Sequence, residues 1–369
     1  MRGFRQHLDG RAGAAEDVHR PLDAEVGEDV RHSRSDVAAI GRVIDQDGDA
    51  LVVDRARVDR REQADPLLEL RRAHGPDGSA CPWIASSGMR PGAEHLEIAV
   101  GGFTFDAVAA GPADGRLVLL LHGFPQSSHE WRAQLGALGA AGYRAVAPDQ
   151  RGYSPRARPA GVEHYRAEPL VADVVAMADQ LGAERFDLVG HDWGAAVAWH
   201  VAGRHPERLR SLTAVSVPHP AAFAGALRGD DQRQRSSYID VFRQEGKAEE
   251  LLLEDDGDRL RAMLAGSGLS GDVDEYVRRM REPGAMTAAL NWYRAADGGS
   301  IDGLGPITMP TMFVWSTGDI ALGRDGAEAT AEHVEGPYRF EVLEGVSHWI
   351  PEEAADELTR LLLDHLSSS

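Results

Sequence analysis

The chain has 369 residues, a formal net charge of −20 and a hydrophobic fraction of 43%. The acidic balance argues against nucleic acid as a partner, because phosphates need a basic surface. The single cysteine, Cys81, excludes a disulfide framework within the chain. The sequence contains no run of about 18 apolar residues, so we predict no membrane-spanning helix. No apolar segment follows the first residues, so we expect no secretory signal and a cytoplasmic location.

Residues 1–88 differ in composition from the rest of the chain. They are dense in Asp, Arg, Ala and Gly, and their only aromatic residues are Phe4 and Trp83. Such a segment buries too little apolar surface to offset its conformational entropy. Two hypotheses remain: the segment is a disordered extension, or translation starts at Met89 and the segment is spurious. We expect the folded domain to span residues 89–369.

From residue 94 onward the chain alternates between strands and helices. Two alternating segments around Gly101 and Gly102 predict a β-hairpin, and the apolar run 117–121 predicts a strand buried on both faces of a parallel sheet. Further strands are predicted at 143–149, 186–189, 212–217, 311–315 and 339–343, and helices at 129–141, 170–181, 195–202, 327–334 and 352–365. The alternation predicts an α/β fold, with a mostly parallel sheet flanked by helices.

The alternation is interrupted between residues 220 and 305. This stretch is helix-prone, charged and broken by glycines, and it contains no convincing strand. We predict a helical insertion that lies over the sheet as a lid. His219, between Pro218 and Pro220, is interpreted as its hinge.

Residues 190–194 (Gly-His-Asp-Trp-Gly) separate an apolar, β-prone segment from a helix-compatible one. The two glycines permit a sharp turn around Asp192, and His191 is interpreted as packing beneath that turn. A strand–turn–helix of the form G-x-S-x-G carries the nucleophile of α/β-hydrolases, and here Asp192 replaces the serine. Because a carboxylate can form an ester with an alkyl carbon, this turn favours epoxide opening or halide displacement. The alternative interpretation is an aspartate that caps the helix.

Other predicted strands also end in reactive or turn-forming residues. They are followed by residues 122–125 (His-Gly-Phe-Pro), by Asp319 and by His348, and ligands bind at this edge of a doubly wound sheet. The chain order Asp192, Asp319, His348 is the nucleophile–acid–histidine order of α/β-hydrolases. Each residue alone fits a structural role, as we assume for Asp149, but the ordered set favours catalysis.

Residues 94–366 resemble an α/β-hydrolase of the epoxide hydrolase branch. The resemblance rests on the motifs at 122–125, 190–194, 318–319 and 345–349, and on Asn-Trp-Tyr-Arg at 291–294 in the insertion. It implies that Asp192 is the nucleophile, that His348 is the general base and that Asp319 orients the imidazole. It also implies hydrolysis of an epoxide to a vicinal diol through an aspartyl ester, without a metal or cofactor.

The resemblance also assigns the groups around the reacting atoms. The backbone N–H groups of Phe124 and Trp193 correspond to an oxyanion hole, and Pro125 corresponds to a position that is often cis in the family. Tyr293 and Tyr238 resemble the two lid tyrosines that activate the epoxide oxygen. A tyrosine suits this task because its hydroxyl is neutral and can donate at pH 7. The alternative role for either tyrosine is packing within the lid.

Two other functions stay open. A dehalogenase would use the same aspartate, but Phe124 replaces the asparagine of haloalkane dehalogenases and Trp193 replaces the arginine of haloacetate dehalogenases. A hydrolase-fold protein that binds ligands without turnover would have no use for the triad. The helices of the insertion also carry apolar side chains that favour a small apolar epoxide as substrate: Phe242, Met263, Leu264, Met286 and Trp292.

Overall fold

The computed structural model describes residues 93–296 and 304–369, so the expectations for residues 1–88 and for the end of the insertion lie outside the described residues. An eight-stranded sheet forms its centre, with the order β1-β2-β4-β3-β5-β6-β7-β8. The strands are β1 (Ala93–Val100), β2 (Phe103–Ala110), β3 (Leu117–Leu121), β4 (Arg144–Pro148), β5 (Phe186–His191), β6 (Leu209–Val215), β7 (Thr311–Ser316) and β8 (Tyr338–Leu343). The pairs β1–β2 and β2–β4 are antiparallel and the other pairs are parallel.

Helices cover both faces of this sheet. Those that connect or follow the strands are α1 (Arg132–Ala140), α2 (Ala167–Gln180), α3 (Trp193–Arg204), α10 (Arg324–Ala329), α11 (Ile350–Glu353) and α12 (Ala355–Ser367). Six more lie between β6 and β7: α4 (Pro220–Ala226), α5 (Asp230–Arg235), α6 (Tyr238–Phe242), α7 (Lys247–Gly266), α8 (Val273–Met280) and α9 (Ala285–Ala295). None of the helices within 93–296 and 304–369 has both the length and the apolarity to cross a bilayer.

The core consists of two apolar layers that meet at β3. Val118 and Leu120 point to one face, where Trp131 is buried, whereas Leu119 and Leu121 point to the other, where Trp199 is buried. Because successive side chains of a strand alternate between faces, only a continuously apolar strand can serve both layers. The predicted α/β fold with a mostly parallel, helix-flanked sheet is confirmed.

Several helix boundaries differ from the sequence predictions. The segment predicted as a helix from residue 129 begins with a 3-10 turn at Ser128–Trp131 and becomes α-helical at α1. Helix α2 starts three residues before its predicted start, because Pro169 is tolerated in the first turn of a helix. The predicted C-terminal helix is divided at Ala354, whose backbone departs from helical geometry.

Ion pairs and hydrogen bonds join the helical insertion to the sheet domain. Arg279 of α8 lies 2.7 Å from the Oδ2 of the buried Asp149, which follows β4. The hydroxyl of Tyr276 donates to Oε1 of Glu352 at 2.9 Å, and the indole of Trp292 donates to a backbone carbonyl of the sheet domain at 3.0 Å. These contacts hold α8 and α9 at the carboxyl edge of the parallel strands.

Candidate active site

Asp192 occupies the sharp turn between β5 and α3. Its φ of 50° and ψ of −121° lie where an L-residue is strained. A Cβ on Gly190 would come 2.2 Å from the carbonyl oxygen of Gly194, and a Cβ on Gly194 would come 2.1 Å from that of Leu121. Both glycines are therefore required by close backbone approach, and the turn presents the Asp192 carboxylate at the end of the strand.

The two carboxylate oxygens of Asp192 have different neighbours. Oδ1 accepts a hydrogen bond from the Phe124 N–H at 2.8 Å, whereas Oδ2 lies 3.5 Å from Nε2 of His348. Burial raises the pKa of Asp192, but His348 and the Phe124 N–H lower it more, so that the net pKa falls below the ordinary 3.8. The carboxylate is therefore ionised at neutral pH, with one oxygen held and the other facing the histidine.

His348 is held by Asp319, as the sequence predicts for a catalytic histidine and its acid. Nδ1 of His348 donates to Oδ2 of Asp319 at 2.7 Å, and both side chains are buried. The other oxygen of Asp319 accepts from the N–H groups of Ala321 and Leu322 at 2.8 and 2.9 Å. This arrangement fixes the ring so that Nε2 faces Asp192.

The charge state of His348 depends on the two carboxylates beside it. Burial lowers its pKa, but the charges of Asp319 and Asp192 raise it more, to about 10. The imidazole is thus cationic while both carboxylates are ionised. Any step that neutralises Asp192 removes part of this stabilisation and lowers the pKa of His348, so that more of the imidazole is in the neutral form that can accept a proton.

The peptide between Gly123 and Phe124 is fixed by His122. The Gly123 carbonyl can only accept, so Nδ1 of His122 donates to it at 2.9 Å, while Nε2 accepts from the Gln150 N–H at 3.0 Å. Burial lowers the pKa of His122 to about 4, so this ring is neutral at pH 7. The Phe124–Pro125 bond is cis. The contribution of Trp193, whose N–H opens α3, to the oxyanion hole stays a prediction.

The two predicted tyrosines, both on helices of the insertion, lie in one aromatic cluster. The ring of Tyr293 lies 5.3 Å from that of Phe124 and 5.0 Å from those of Trp193 and Phe242, between centroids. Tyr238 lies 6.2 Å from Tyr293 and 5.2 Å from Phe242. Helix α9 therefore brings the ring of Tyr293 to the predicted oxyanion turn, and α6 places the ring of Tyr238 beside it.

Both hydroxyls remain protonated over the whole neutral range. Burial raises the pKa of Tyr238 and of Tyr293, and the negative charge of Asp192 raises both further. Phenols that keep their proton next to an anion can donate a hydrogen bond or a proton to a substrate oxygen.

Two buried residues near the site were not identified from the sequence. Tyr153 lies edge-on to His122 at 4.5 Å between centroids, and its buried hydroxyl has no hydrogen-bond partner within the described ranges. Its position just after β4 could have pointed to the site. Glu130 is completely buried next to His191, and a single glutamate in a helix-prone segment gives no such indication.

Among the residues that the structure describes, no three His, Cys, Asp or Glu side chains are grouped so as to hold a metal ion.

Comparisons with known proteins show which family the chain resembles. The alpha/beta hydrolase fold family matches residues 116–355. AB hydrolase superfamily protein YfhM of Bacillus subtilis is 38% identical over 72% of this chain and 96% of its own length. Epoxide hydrolase A of Mycobacterium tuberculosis is 33% identical over 72% of this chain and 95% of its own length. The crystal structure of epoxide hydrolase A from Mycobacterium thermoresistibile superposes with a TM-score of 0.65 at 30% identity, covering 74% of this chain and 98% of that one.

Proposed function

Because the chain belongs to the α/β-hydrolase superfamily, in its epoxide hydrolase branch, we propose that it adds water to an epoxide and releases a vicinal diol. One observation carries the proposal: the turn that holds a serine in other hydrolases presents the ionised Asp192, with one oxygen bound by the Phe124 N–H. A carboxylate in this position forms an alkyl ester. The ring strain and the oxygen of an epoxide match this nucleophile and the two tyrosines.

The first step is alkylation of Asp192. Its Oδ2 attacks an epoxide carbon, the C–O bond of the ring breaks, and the oxygen takes a proton from Tyr293 or Tyr238. The products are an ester on Asp192 with a neighbouring hydroxyl group, and one tyrosinate. Esterification removes the charge that raises the pKa of His348, so His348 loses its proton and the tyrosinate regains one.

The second step is hydrolysis of the ester. Neutral His348 takes a proton from water, and the resulting hydroxide attacks Cγ of Asp192. Negative charge then develops on Oδ1, where the Phe124 N–H is already placed to receive it, and Asp319 stabilises the imidazolium. The intermediate collapses, and the diol oxygen takes the proton from His348. The carboxylic acid left on Asp192 then gives its proton to His348, which restores the carboxylate and the imidazolium.

The surroundings of the tyrosines favour an apolar substrate. The rings of Phe124, Trp193 and Phe242 surround Tyr293. Apart from the tyrosine hydroxyls and the catalytic carboxylate, these rings offer dispersion and hydrophobic contacts. We therefore propose small apolar epoxides as the substrate class.

A panel of epoxides and bromoalkanes, scored for diol and for halide, tests this function. We expect diol from at least one apolar epoxide, no halide release, and loss of turnover in Asp192→Asn, which keeps the shape of the side chain but lacks its charge. Halide release without diol would support a dehalogenase. Saturable epoxide binding without either product would support a non-catalytic binding protein.

A further inference from the structure

A buried acid–histidine pair lies directly behind the proposed catalytic residues. Oε1 of Glu130 and Nδ1 of His191 are 3.1 Å apart, and neither side chain is exposed to solvent. Glu130 belongs to the 3-10 turn before α1 and His191 is the last residue of β5. Neither residue belongs to the proposed triad.

On one side, the pair binds the backbone of the proposed base. Nε2 of His191 lies 3.0 Å from the carbonyl oxygen of His348. A carbonyl oxygen can only accept, so this nitrogen carries a proton. The hydroxyl of Ser216 donates to the same oxygen at 2.9 Å. The Ile350 N–H also donates to it at 2.9 Å, so three donors fix the peptide from which the His348 side chain extends.

On the other side, the pair binds the turn that supplies the oxyanion donor. Oε2 of Glu130 accepts from the N–H of Gly123 at 3.1 Å. The next N–H along the chain, that of Phe124, donates to Oδ1 of Asp192. Glu130 thus acts on the oxyanion turn one residue before its catalytic donor.

The hydrogen-bond roles leave a single proton for the contact between the pair. Nε2 of His191 already has its proton and Oε2 of Glu130 already accepts one. Oε1 and Nδ1 approach to 3.1 Å without the geometry of a hydrogen bond. A single proton on either atom avoids the repulsion of two facing lone pairs and the clash of two facing protons. Burial raises the pKa of Glu130 and the neighbouring His191 lowers it, with a net rise. Either position of the proton gives a pair with no net charge, which suits complete burial.

We propose that Glu130 and His191 are positioning residues that hold the His348 peptide and the Phe124 turn at a fixed separation. This inference rests on the proposed function. Ester hydrolysis needs His348 and the Phe124 N–H together, since one activates water while the other receives the charge. Alkylation needs Asp192 and the tyrosines but no base. Disruption of the pair therefore slows hydrolysis of the ester more than its formation.

Two matched variants at one position test the proposal. In Glu130→Gln the amide can donate to Nδ1 of His191 and accept from Gly123, whereas in Glu130→Leu both contacts are lost. Rapid quenching followed by intact-protein mass spectrometry measures ester formation and ester decay separately in one turnover with an apolar epoxide.

For Glu130→Leu we expect ester decay to slow by about 10- to 100-fold, less than the 10²–10³-fold loss on removal of an oxyanion donor itself. Ester formation should change by less than roughly threefold, so that ester accumulates. Glu130→Gln should keep both rates within roughly threefold of the wild type. Wild-type ester decay in Glu130→Leu would overturn the proposal. Equal slowing of both steps, with no rescue by glutamine, would also overturn it and leave only a structural role.

A second measurement does not depend on activity. Nitrogen-15 NMR of labelled histidine in the wild type and in Glu130→Gln should show that Nε2 of His191 carries a proton, as its contact with the His348 carbonyl requires. An unprotonated Nε2 in the wild type would overturn the proposed contact with His348. By contrast, a wild-type enzyme that forms neither ester nor diol from any epoxide would count against the proposed function, while the NMR result would still decide whether the pair binds the His348 peptide.

Discussion

Nε2 of His348 lies 3.5 Å from Oδ2 of Asp192, whereas its Nδ1 lies 2.7 Å from Oδ2 of Asp319. The first distance exceeds the usual range of an N–H···O hydrogen bond and the second falls within it. The histidine is therefore bound firmly to its acid and only loosely to the proposed nucleophile. This leaves Oδ2 of Asp192 available for attack while His348 stays close enough to act afterwards as the base.

Removal of either tyrosine hydroxyl should slow alkylation. Tyr293→Phe is expected to reduce the single-turnover rate by about 10- to 1,000-fold, or about 1.4 to 4 kcal/mol, because proton donation typically contributes 10²–10⁴-fold and the partner tyrosine limits the loss. Tyr238→Phe should behave alike, and the double variant should be nearly inactive. Unchanged epoxide turnover in the double variant would show that these residues do not activate the epoxide.

Replacement of the Trp193 indole should separate an epoxide hydrolase from a dehalogenase. Trp193→Phe keeps the backbone N–H predicted for the oxyanion hole and most of the ring contact with Tyr293. We expect the rate of diol formation to fall by less than about tenfold, because a tenfold change corresponds to about 1.4 kcal/mol in the activation barrier. Loss of part of the ring packing should cost less than that. A dehalogenase would need the indole N–H for the departing halide. Bromoalkane turnover that is lost in Trp193→Phe but retained in both tyrosine variants would favour the dehalogenase.

The alkylation step should be independent of pH over a wide range. The pKa of Asp192 is below its ordinary 3.8, so the nucleophile is lost only as the pH falls through that lowered value. The pKa values of Tyr238 and Tyr293 are raised, so the proton donors are lost only at strongly alkaline pH. Stopped-flow single turnovers should give a constant rate from about pH 5 to 9. A rate that rises or falls tenfold per pH unit near neutrality would contradict these protonation states.

The ion pair between the insertion and the sheet domain should contribute to stability. Arg279→Gln removes the cation from the buried Asp149, which among the described residues keeps only the Ser128 N–H as a donor, and should lower the free energy of unfolding by about 2 kcal/mol. This is less than the 3–5 kcal/mol of a fully buried pair, because the Arg279 side chain is 26% exposed. Arg278 on the same helix is 60% exposed, so Arg278→Gln should cost less than about 1 kcal/mol. Urea unfolding measures the loss of unfolding free energy in each variant. Equal losses would show that the buried ion pair contributes no more to stability than the exposed one.

The sequence pattern predicts the fold and the proposed catalytic residues, because those residues directly follow predicted strands. The apolar run at β3 and the glycines around Asp192 constrain the backbone locally, so fold and nucleophile turn follow from neighbours in the chain. Asp319 and His348 are predicted because each follows a strand and their order matches the family motif.

Contacts between distant segments could not be predicted in this way. The burial of Glu130 depends on His191, 61 positions later in the chain, and nothing in the local composition indicates that contact. His191 itself was interpreted as packing, and the structure adds the contact of its ring with the His348 carbonyl. His219, interpreted as a hinge, caps α4 by accepting from the Ala221 N–H and stacks on His333. Each of these roles depends on which segments the tertiary fold brings together.

Trapping of the covalent intermediate in His348→Gln tests the central claim most directly. This variant keeps Asp192 and the tyrosines but lacks the base, so it should react once with an epoxide and stall as the ester. Intact-protein mass spectrometry should show the protein mass increased by one substrate, with the added mass on Asp192 after proteolysis and none in Asp192→Asn/His348→Gln. If saturating epoxide leaves the mass of a correctly folded His348→Gln protein unchanged, Asp192 is not the nucleophile.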